Sequence, residues 1–209
     1  MTTMKIGVLA LQGAFVEHIA MLRDLGAEAV PVRLPEALDG LNGLVIPGGE
    51  STAIGKLMVG YGLIEPIRTL VDAGLPVYGT CAGMILLARA TDGIEQPLLG
   101  AMDIVVKRNA FGRQLQSFEQ DIAVPALGDA PFHAVFIRAP AIEEVGQDVT
   151  VLATLDDGTI VAAEQGALLA TAFHPELAGD PRLHTHFLDL CARRKRGATS
   201  GASERVSAD

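Results

Sequence analysis

Residues 75–90, LPVYGTCAGMILLARA, have the pattern of a strand, a tight turn and a helix in direct succession. Leu75–Thr80 is a short apolar run, which is typical of a buried strand, and Ala82–Ala90 is predicted to be a helix. Cys81 lies in the turn between them, with a glycine two residues away on each side. A nucleophilic residue flanked by glycines at such a turn is the pattern of a nucleophile elbow.

The elbow pattern has a physical explanation. The turn holds the nucleophile in a strained conformation, and flanking side chains would clash, so glycine is needed on both sides. The start of a helix offers free N–H groups and the positive end of the helix dipole, which favour a thiolate and stabilise an oxyanion. The same residues could equally surround a buried structural cysteine at an ordinary strand–helix turn.

The first half of the chain repeats this alternation of strand and helix. Strands that alternate with helices indicate βαβ units and a parallel sheet. The predicted strands before Leu75 are Lys5–Leu11, Ala27–Val32 and Gly43–Ile46, and the predicted helices are Phe15–Leu25 and Ser51–Ala73, the latter interrupted near Gly60.

The second half has short strand-like runs separated by turn signals, which indicate an antiparallel extension of the same sheet. The fold class is therefore α/β, with a mostly parallel central sheet flanked by helices. We expect one domain over residues 1–192, closed by a helix at Pro181–Ala192, and a disordered polar tail over 193–209. The predicted strands are Ala101–Lys107, Phe118–Val124, Phe132–Arg138, Thr150–Leu155, Ile160–Gln165 and Leu168–Phe173.

Charge and composition exclude several classes of protein. The 209 residues carry a formal net charge of -9, which argues against nucleic acid as the main partner. No apolar run reaches the roughly 18 residues of a membrane helix, so we expect no membrane contact. The two cysteines form no disulfide framework, and this fits a reducing cytoplasm.

His174-Pro175-Glu176 directly follows a predicted strand. Sites in open α/β sheets form at the carboxyl ends of strands, and Cys81 follows another strand in the same way. A histidine there can take the thiol proton and later protonate a leaving amine, while a glutamate orients the imidazole. Alone, the three residues could be a plain loop.

Two further motifs concentrate polar residues at turns. Pro47-Gly48-Gly49-Glu50-Ser51 ends a strand and opens a helix, where backbone N–H groups can face a developing negative charge; Glu50 or Ser51 could equally be a helix cap. In residues 107–114, KRNAFGRQ, Arg108 could bind a carboxylate through two hydrogen bonds, or the stretch could be an exposed charged turn.

The remaining histidines and the second cysteine are weaker candidates. His18 falls near the polar side of the first helix, and His133 has no obvious partner. His184 and His186 do not share a helix face, so we expect no metal site there. Cys191 is interpreted as a packing residue.

Five stretches together resemble the class I glutamine amidotransferases, and within them the family of glutaminase subunits of pyridoxal 5'-phosphate synthase. The resemblance implies the flavodoxin-like fold of that superfamily and covers about Met4 to Cys191. RNAFGRQ is its most family-specific part. The stretches are LQGA at 11–14, PGGEST at 47–52, GTCAGM at 79–84, RNAFGRQ at 108–114 and FHPEL at 173–177.

The resemblance implies a role for each matching residue. Cys81 would be the nucleophile, His174 the base and acid, and Glu176 the third member of a catalytic triad. The backbone of Gly49 and Ala82 would form the oxyanion hole, and Gln12 would lie near a partner synthase. The implied glutamine-binding residues are Gly49, Glu50, Ser51, Arg108, Ile137 and Arg138.

The implied reaction is hydrolysis of L-glutamine to L-glutamate and ammonia, with no metal or organic cofactor. The ammonia would pass to a separate synthase subunit, in a large hetero-oligomer that makes pyridoxal 5'-phosphate from a pentose phosphate and a triose phosphate. Three alternatives stay open: a glutaminase for another synthase, an elbow-cysteine hydrolase or redox sensor, and a regulatory binding subunit.

Overall fold

A sheet of ten strands forms the centre of the protein in the ranges that the computed structural model describes, residues 3–93, 95–112 and 117–206. In chain order, the strands of the described ranges are β1 Lys5–Leu9, β2 Glu28–Val32, β3 Gly43–Ile46, β4 Val77–Thr80, β5 Ala88–Thr91, β6 Met102–Lys107, β7 Ser117–Ile122, β8 Phe132–Ile137, β9 Ala141–Val145, β10 Thr150–Thr154, β11 Ile160–Gln165 and β12 Leu168–Thr171. Two of these strands, β7 and β8, lie outside this sheet. The helices are α1 Phe15–Asp24, α2 Ser51–Gly60, α3 Ile64–Asp72, α4 Ala82–Leu87 and α5 Arg182–Val206.

One side of the sheet is parallel, in the order β2-β1-β3-β4-β12. Strands β3, β4 and β12 are buried at every position, as their largely apolar sequences predict for strands covered on both faces. The last strand in the sequence, β12, is inserted directly beside β4, with Thr171 opposite Thr80. The predicted α/β class is confirmed. The parallel part consists of the first four strands of the chain together with β12, which comes from the second half.

The other side of the sheet is mostly antiparallel. Strand β11 runs antiparallel to β12, β9 and β10, and β9 runs antiparallel to β6. Strands β7 and β8 form a separate antiparallel pair, so the prediction that they extend the same sheet is wrong. This pair turns its buried face inward through Phe118 and Phe136, whose rings stack at 4.5 Å, and Phe136 contacts Phe173 edge-on.

Two local predictions are wrong for reasons that depend on tertiary structure. The helix predicted to reach Ala90 ends at Leu87, because Ala88–Thr91 pairs with β6 instead. Strand β9 was not predicted, since only its first two residues are buried and it lacks the alternation that marks a strand. Tertiary pairing therefore overrides local propensity at both places.

The last helix is longer than predicted. It runs from Arg182 to Val206 and so continues past the predicted end at Ala192. The run from Ala192 to Arg196 consists of strong helix formers, and no proline follows Pro181. None of the helices in the described part of the chain is long and apolar enough to cross a membrane.

Helix α5 packs closely on β3 at Gly43. A Cβ atom at this position would lie 2.5 Å from Cys191 Sγ and 2.9 Å from Phe187 Cζ. Cys191 is buried, which confirms its interpretation as a packing residue. The missing side chain at Gly43 thus allows the helix to approach the sheet.

We expect Gly43→Ala to lower the free energy of unfolding by about 1–3 kcal/mol, because a methyl group there overpacks this contact. Gly60→Ala is the matched control: a Cβ at Gly60 has no neighbour within 4 Å, so replacing glycine at the end of α2 should stabilise by up to about 1 kcal/mol. Urea unfolding measures both. Equal stability of wild type and Gly43→Ala would contradict this packing.

Candidate active site

Cys81 lies at the elbow between β4 and α4, in a strained backbone conformation with φ 49° and ψ −102°. Both flanking glycines are required there. A Cβ on Gly79 would lie 2.6 Å from the backbone of Gly83, and a Cβ on Gly83 would collide with the carbonyl oxygen of Ile46. The predicted elbow geometry is confirmed.

His174 and Glu176 follow β12 and face the elbow. The His174 backbone N–H donates to Val135 O at 2.9 Å, and its Nδ1 lies 2.7 Å from Glu176 Oε1. Gly48 lies close to both the imidazole and the cysteine, since a Cβ on Gly48 would lie 2.9 Å from His174 Nδ1 and 3.3 Å from Cys81 Cβ. The structure thus brings the three predicted residues together.

The surroundings of His174 favour its charged form. Burial by itself would lower the pKa of this imidazole, but hydrogen bonds with Cys81 and Glu176, and the charges of both, raise it to about 10. An imidazolium at neutral pH stabilises a thiolate beside it. The arrangement can therefore supply a nucleophile and a proton donor together.

A pocket of about 400 Å³ opens beside the cysteine, a volume in the range of small-molecule sites. Within the described ranges, the non-glycine residues with positive φ are Cys81, Asn109 and Arg138, and all three line it. Backbone strain of this kind is concentrated at functional sites. The lining residues are Gln12, Gly49, Glu50, Ser51, Cys81, Ala82, Ile85, Arg108, Asn109, Ile137, Arg138, Pro140 and His174.

Glu50 caps the helix that forms one wall of this pocket. Its carboxylate accepts hydrogen bonds from the backbone N–H groups of Thr52 (3.1 Å) and Ala53 (2.7 Å), so the helix-cap interpretation is confirmed for Glu50. Slight burial by itself would raise the pKa of Glu50, but these hydrogen bonds and the charge of Arg108 lower it below its ordinary value. The Glu50 backbone N–H donates to Gln12 Oε1 at 2.8 Å, which joins the first loop to the same wall.

Arg108 is held in the pocket, with its side chain only 19% exposed, and does not form an exposed turn. Its Nη1 donates to Thr52 Oγ1 and Gln96 Oε1, both at 3.2 Å, and its Nη2 lies 3.5 Å from Glu50 Oε1. Gln96 also accepts from Ser51 Oγ at 3.2 Å. The sequence did not predict Gln96 as part of this site, because Gln96 lies in a loop without a recognisable motif. Arg113 and Gln114 of the predicted motif lie outside the described residues.

The opposite wall comes from the separate β7–β8 pair. Ile137 ends β8 and its carbonyl oxygen lies 4.0 Å from Cys81 Sγ, while Arg138 follows with φ 43°. Phe111, in the turn after Arg108, packs edge-on against Phe136 of the same pair. Both predicted binding segments are therefore anchored to one aromatic cluster.

Two of the remaining histidines, His18 and His133, differ from expectation. His18 is fully buried, so its placement near a polar helix side is wrong. His133 does have partners, because its nitrogens lie 2.8 Å from Asp121 and 3.0 Å from Glu119. Across the described parts of the chain, no group of three or more His, Cys, Asp or Glu side chains could hold a metal ion.

The fold and the site together define an α/β protein with a cysteine at a strand–helix elbow beside a pocket. The chain belongs to the SNO glutamine amidotransferase family, whose sequence model matches residues 8–193. It is similar to proteins named pyridoxal 5'-phosphate synthase subunit PdxT: one from Herpetosiphon aurantiacus, at 62% identity over 90% of this chain and 100% of that one, and one from Moorella thermoacetica, at 59% over 90% and 99%. A crystal structure of a glutamine amidotransferase superposes with a TM-score of 0.85 and 52% identity, covering 90% of this chain and 98% of the other.

Histidine NMR can test the charge state of His174. We expect its imidazolium to persist well above pH 7, and its pKa to fall towards the ordinary value of about 6.5 in Cys81→Ala and, by a smaller amount, in Glu176→Gln. His133 is the internal control, because its pKa is raised by Asp121 and Glu119 and should not respond. Titration of wild-type His174 near pH 6.5 would contradict the hydrogen bonds of its imidazole with Cys81 and Glu176.

Proposed function

We propose that this chain is the glutaminase subunit of a pyridoxal 5'-phosphate synthase, and that Cys81, His174 and Glu176 are its catalytic triad. The observation that carries the proposal is the alignment of these three side chains beside a pocket of about 400 Å³. Membership of a glutamine amidotransferase family supports the substrate class. The names of the relatives support the choice of synthase.

In the first half-reaction, the Cys81 thiolate attacks the side-chain amide carbon of L-glutamine. The backbone N–H groups of Gly49 and Ala82 stabilise the resulting oxyanion; Ala82 is the first residue of α4, where N–H groups have no partner within the helix. His174 gives its proton to the departing nitrogen, and ammonia leaves. A thioester on Cys81 remains.

In the second half-reaction, water attacks the thioester carbon. His174, now neutral, takes a proton from this water, and the Cys81 sulfur leaves as a thiolate. The product is the side-chain carboxylic acid of glutamate, which loses its remaining proton to solvent and becomes the carboxylate. Glu176 holds the imidazole through Nδ1 and stabilises its positive charge. His174 carries both the proton given to the leaving nitrogen and the proton taken from water, so the reaction as written needs no metal or organic cofactor.

The substrate is held by the walls that flank the nucleophile. Gly49, Glu50 and Ser51 lie on one side and Ile137 and Arg138 on the other. Arg108 contributes a guanidinium that can bind the carboxylate of glutamine through two hydrogen bonds. Its present partners, Thr52, Gln96 and Glu50, hold it ready for this contact at little entropic cost.

The released ammonia passes, in this proposal, to a separate synthase subunit within a large hetero-oligomer. Ammonia released into water becomes mostly protonated and loses its nucleophilicity, so a direct path protects it. The loop of Gln12 borders the pocket and is proposed to lie next to the partner. We place the complex in the cytoplasm, in keeping with two free, buried cysteines.

Glutamate release measures the proposed activity, with and without the candidate synthase. We expect Cys81→Ala and His174→Gln to lose at least about 10³-fold in kcat, and the synthase to raise the wild-type rate. Amide-¹⁵N-labelled glutamine, given with excess unlabelled ammonium, should still label the pyridoxal 5'-phosphate. Glutaminase activity that persists in Cys81→Ala would contradict the mechanism. Complete dilution of the ¹⁵N label by unlabelled ammonium would argue against direct transfer of ammonia.

Arg108→Met tests glutamine binding, because methionine keeps much of the length and removes the charge. We expect KM for glutamine to rise about 10–100-fold with little change in kcat, since a lost charged hydrogen bond costs roughly 1.5–3 kcal/mol. Arg89→Met is the control, because Arg89 pairs with Asp103 and Glu144 away from the pocket. An unchanged KM in Arg108→Met would refute the assignment of Arg108.

A further inference from the structure

A row of buried polar side chains lies behind Glu176, and the proposed reaction does not use it. His18 comes from α1, Thr80 from the end of β4 and His184 from α5, and all three are fully buried. The Glu176 side chain is likewise fully buried. Polar groups in a dry core destabilise the fold unless they satisfy one another, so this row requires an explanation.

The distances form a continuous chain from α5 to the triad. His184 Nε2 lies 2.9 Å from His18 Nδ1, and His18 Nε2 lies 3.1 Å from Thr80 Oγ1 and 3.3 Å from Glu176 Oε2. On the other side of the carboxylate, Glu176 Oε1 lies 2.7 Å from His174 Nδ1. The carboxylate of Glu176 is therefore held between two imidazoles.

The two oxygens of Glu176 have different environments. Oε1 is paired with His174, whereas Oε2 is buried and has no hydrogen bond of good geometry in the described part of the chain. His18 Nε2, at 3.3 Å, is within ion-pair distance of Oε2 but imperfectly aligned. A single N–H on His18 Nε2, shared between Thr80 Oγ1 and Glu176 Oε2, accounts for both distances. Without this N–H, a buried carboxylate oxygen would have no hydrogen-bond donor.

One tautomer of the histidine pair fits these contacts. With the His18 proton on Nε2, its N–H faces the carboxylate, and Nδ1 accepts from the N–H at His184 Nε2. His184 Nδ1 is then a bare acceptor, in agreement with its lack of a partner. The opposite tautomers would turn a lone pair of His18 towards Oε2 and leave a buried N–H unpaired on His184, which costs more.

Both histidines of the row are neutral at physiological pH. Burial, the neighbouring His184 and then His174 lower the pKa of His18, and burial lowers that of His184 to about 4. Tyr78 also faces the row; burial raises the pKa of its hydroxyl, which bonds Thr171 at 3.2 Å. Among the described residues, the ionisable groups that face this row are His18, His184, Tyr78, Glu176 and His174, and Cys81 lies on the far side of His174.

We propose that His18, oriented by His184, is a positioning residue that keeps Glu176 ionised and aligned against His174. The proposal rests on the assignment of Glu176 to the triad. Without the donor at His18 Nε2, Glu176 rotates or takes up a proton, and the imidazolium of His174 loses its support. His18 does not line the pocket, so this loss acts on turnover and leaves the binding of glutamine unchanged.

Two substitutions of similar polarity separate this role from simple packing. The amide nitrogen of glutamine reaches the place of the histidine Nε2, whereas that of asparagine reaches only the place of Nδ1. His18→Gln keeps the donor that faces Glu176, and His18→Asn removes it. If His18 only fills space in the core, both variants should lose stability, and kcat should not differ between them.

Glutamate release by the complex with the synthase is the readout. We expect kcat to fall about 10–100-fold in His18→Asn and less than about fivefold in His18→Gln, with KM unchanged in both. The alkaline limb of the pH profile of kcat/KM should move to lower pH in His18→Asn alone, because the His174 imidazolium is stabilised less. Wild-type kcat and an unshifted profile in His18→Asn would overturn the proposal, and so would equal losses in both variants.

The variants His184→Gln and His184→Asn make the same comparison at His184, the residue of α5 that contacts His18. They test the proposal even if His18→Asn does not fold. His184→Gln keeps a donor to His18 Nδ1, so its kcat should exceed that of His184→Asn about three- to tenfold. Equal kcat values in that pair would overturn the proposal. An inactive wild-type complex would instead refute the proposed function, so the two failures are distinguishable.

Discussion

The parallel pairing of β4 with β12 is the constraint on which the site depends. Because Thr80 lies opposite Thr171, the carboxyl ends of the two strands are level, and the Cys81 N–H donates to Thr171 O at 2.8 Å. Three residues after Thr171, His174 faces the cysteine. A slip of one residue would turn every β12 side chain to the other face of the sheet and separate these groups.

The strain at the elbow is held by close packing around it. Glycines at 48, 79 and 83 let backbone and imidazole approach to distances that any side chain would prevent. The strained backbone at Asn109 and Arg138 is held in turn by the aromatic cluster that joins the Phe111 turn to β7–β8. The packed elements thus offset the local cost of the positive φ angles.

Local sequence patterns were sufficient where the chemistry depends on adjacent residues. Gly79-Thr80-Cys81-Ala82-Gly83 predicts a strained elbow, because only glycine fits on both sides. The largely apolar run Leu168–Phe173 predicts a buried strand, which His174 directly follows. The same patterns were wrong at Ala88–Thr91, where pairing with β6 replaces the end of a helix. They were also wrong at His18, whose polar character in a helix does not reveal that three other polar groups surround it.

By itself, the sequence determined the class of fold, the elbow and the residue types of a cysteine–histidine–glutamate site, because these follow from spacing along one strand or one turn. Only the tertiary structure decided that β12 lies beside β4, that β7–β8 stands apart, and that His18 meets Glu176. Hydrophobic periodicity reports which side of an element is buried, but it contains no information about the partner on that side. Contacts between residues far apart in the chain therefore became visible only once the elements had packed.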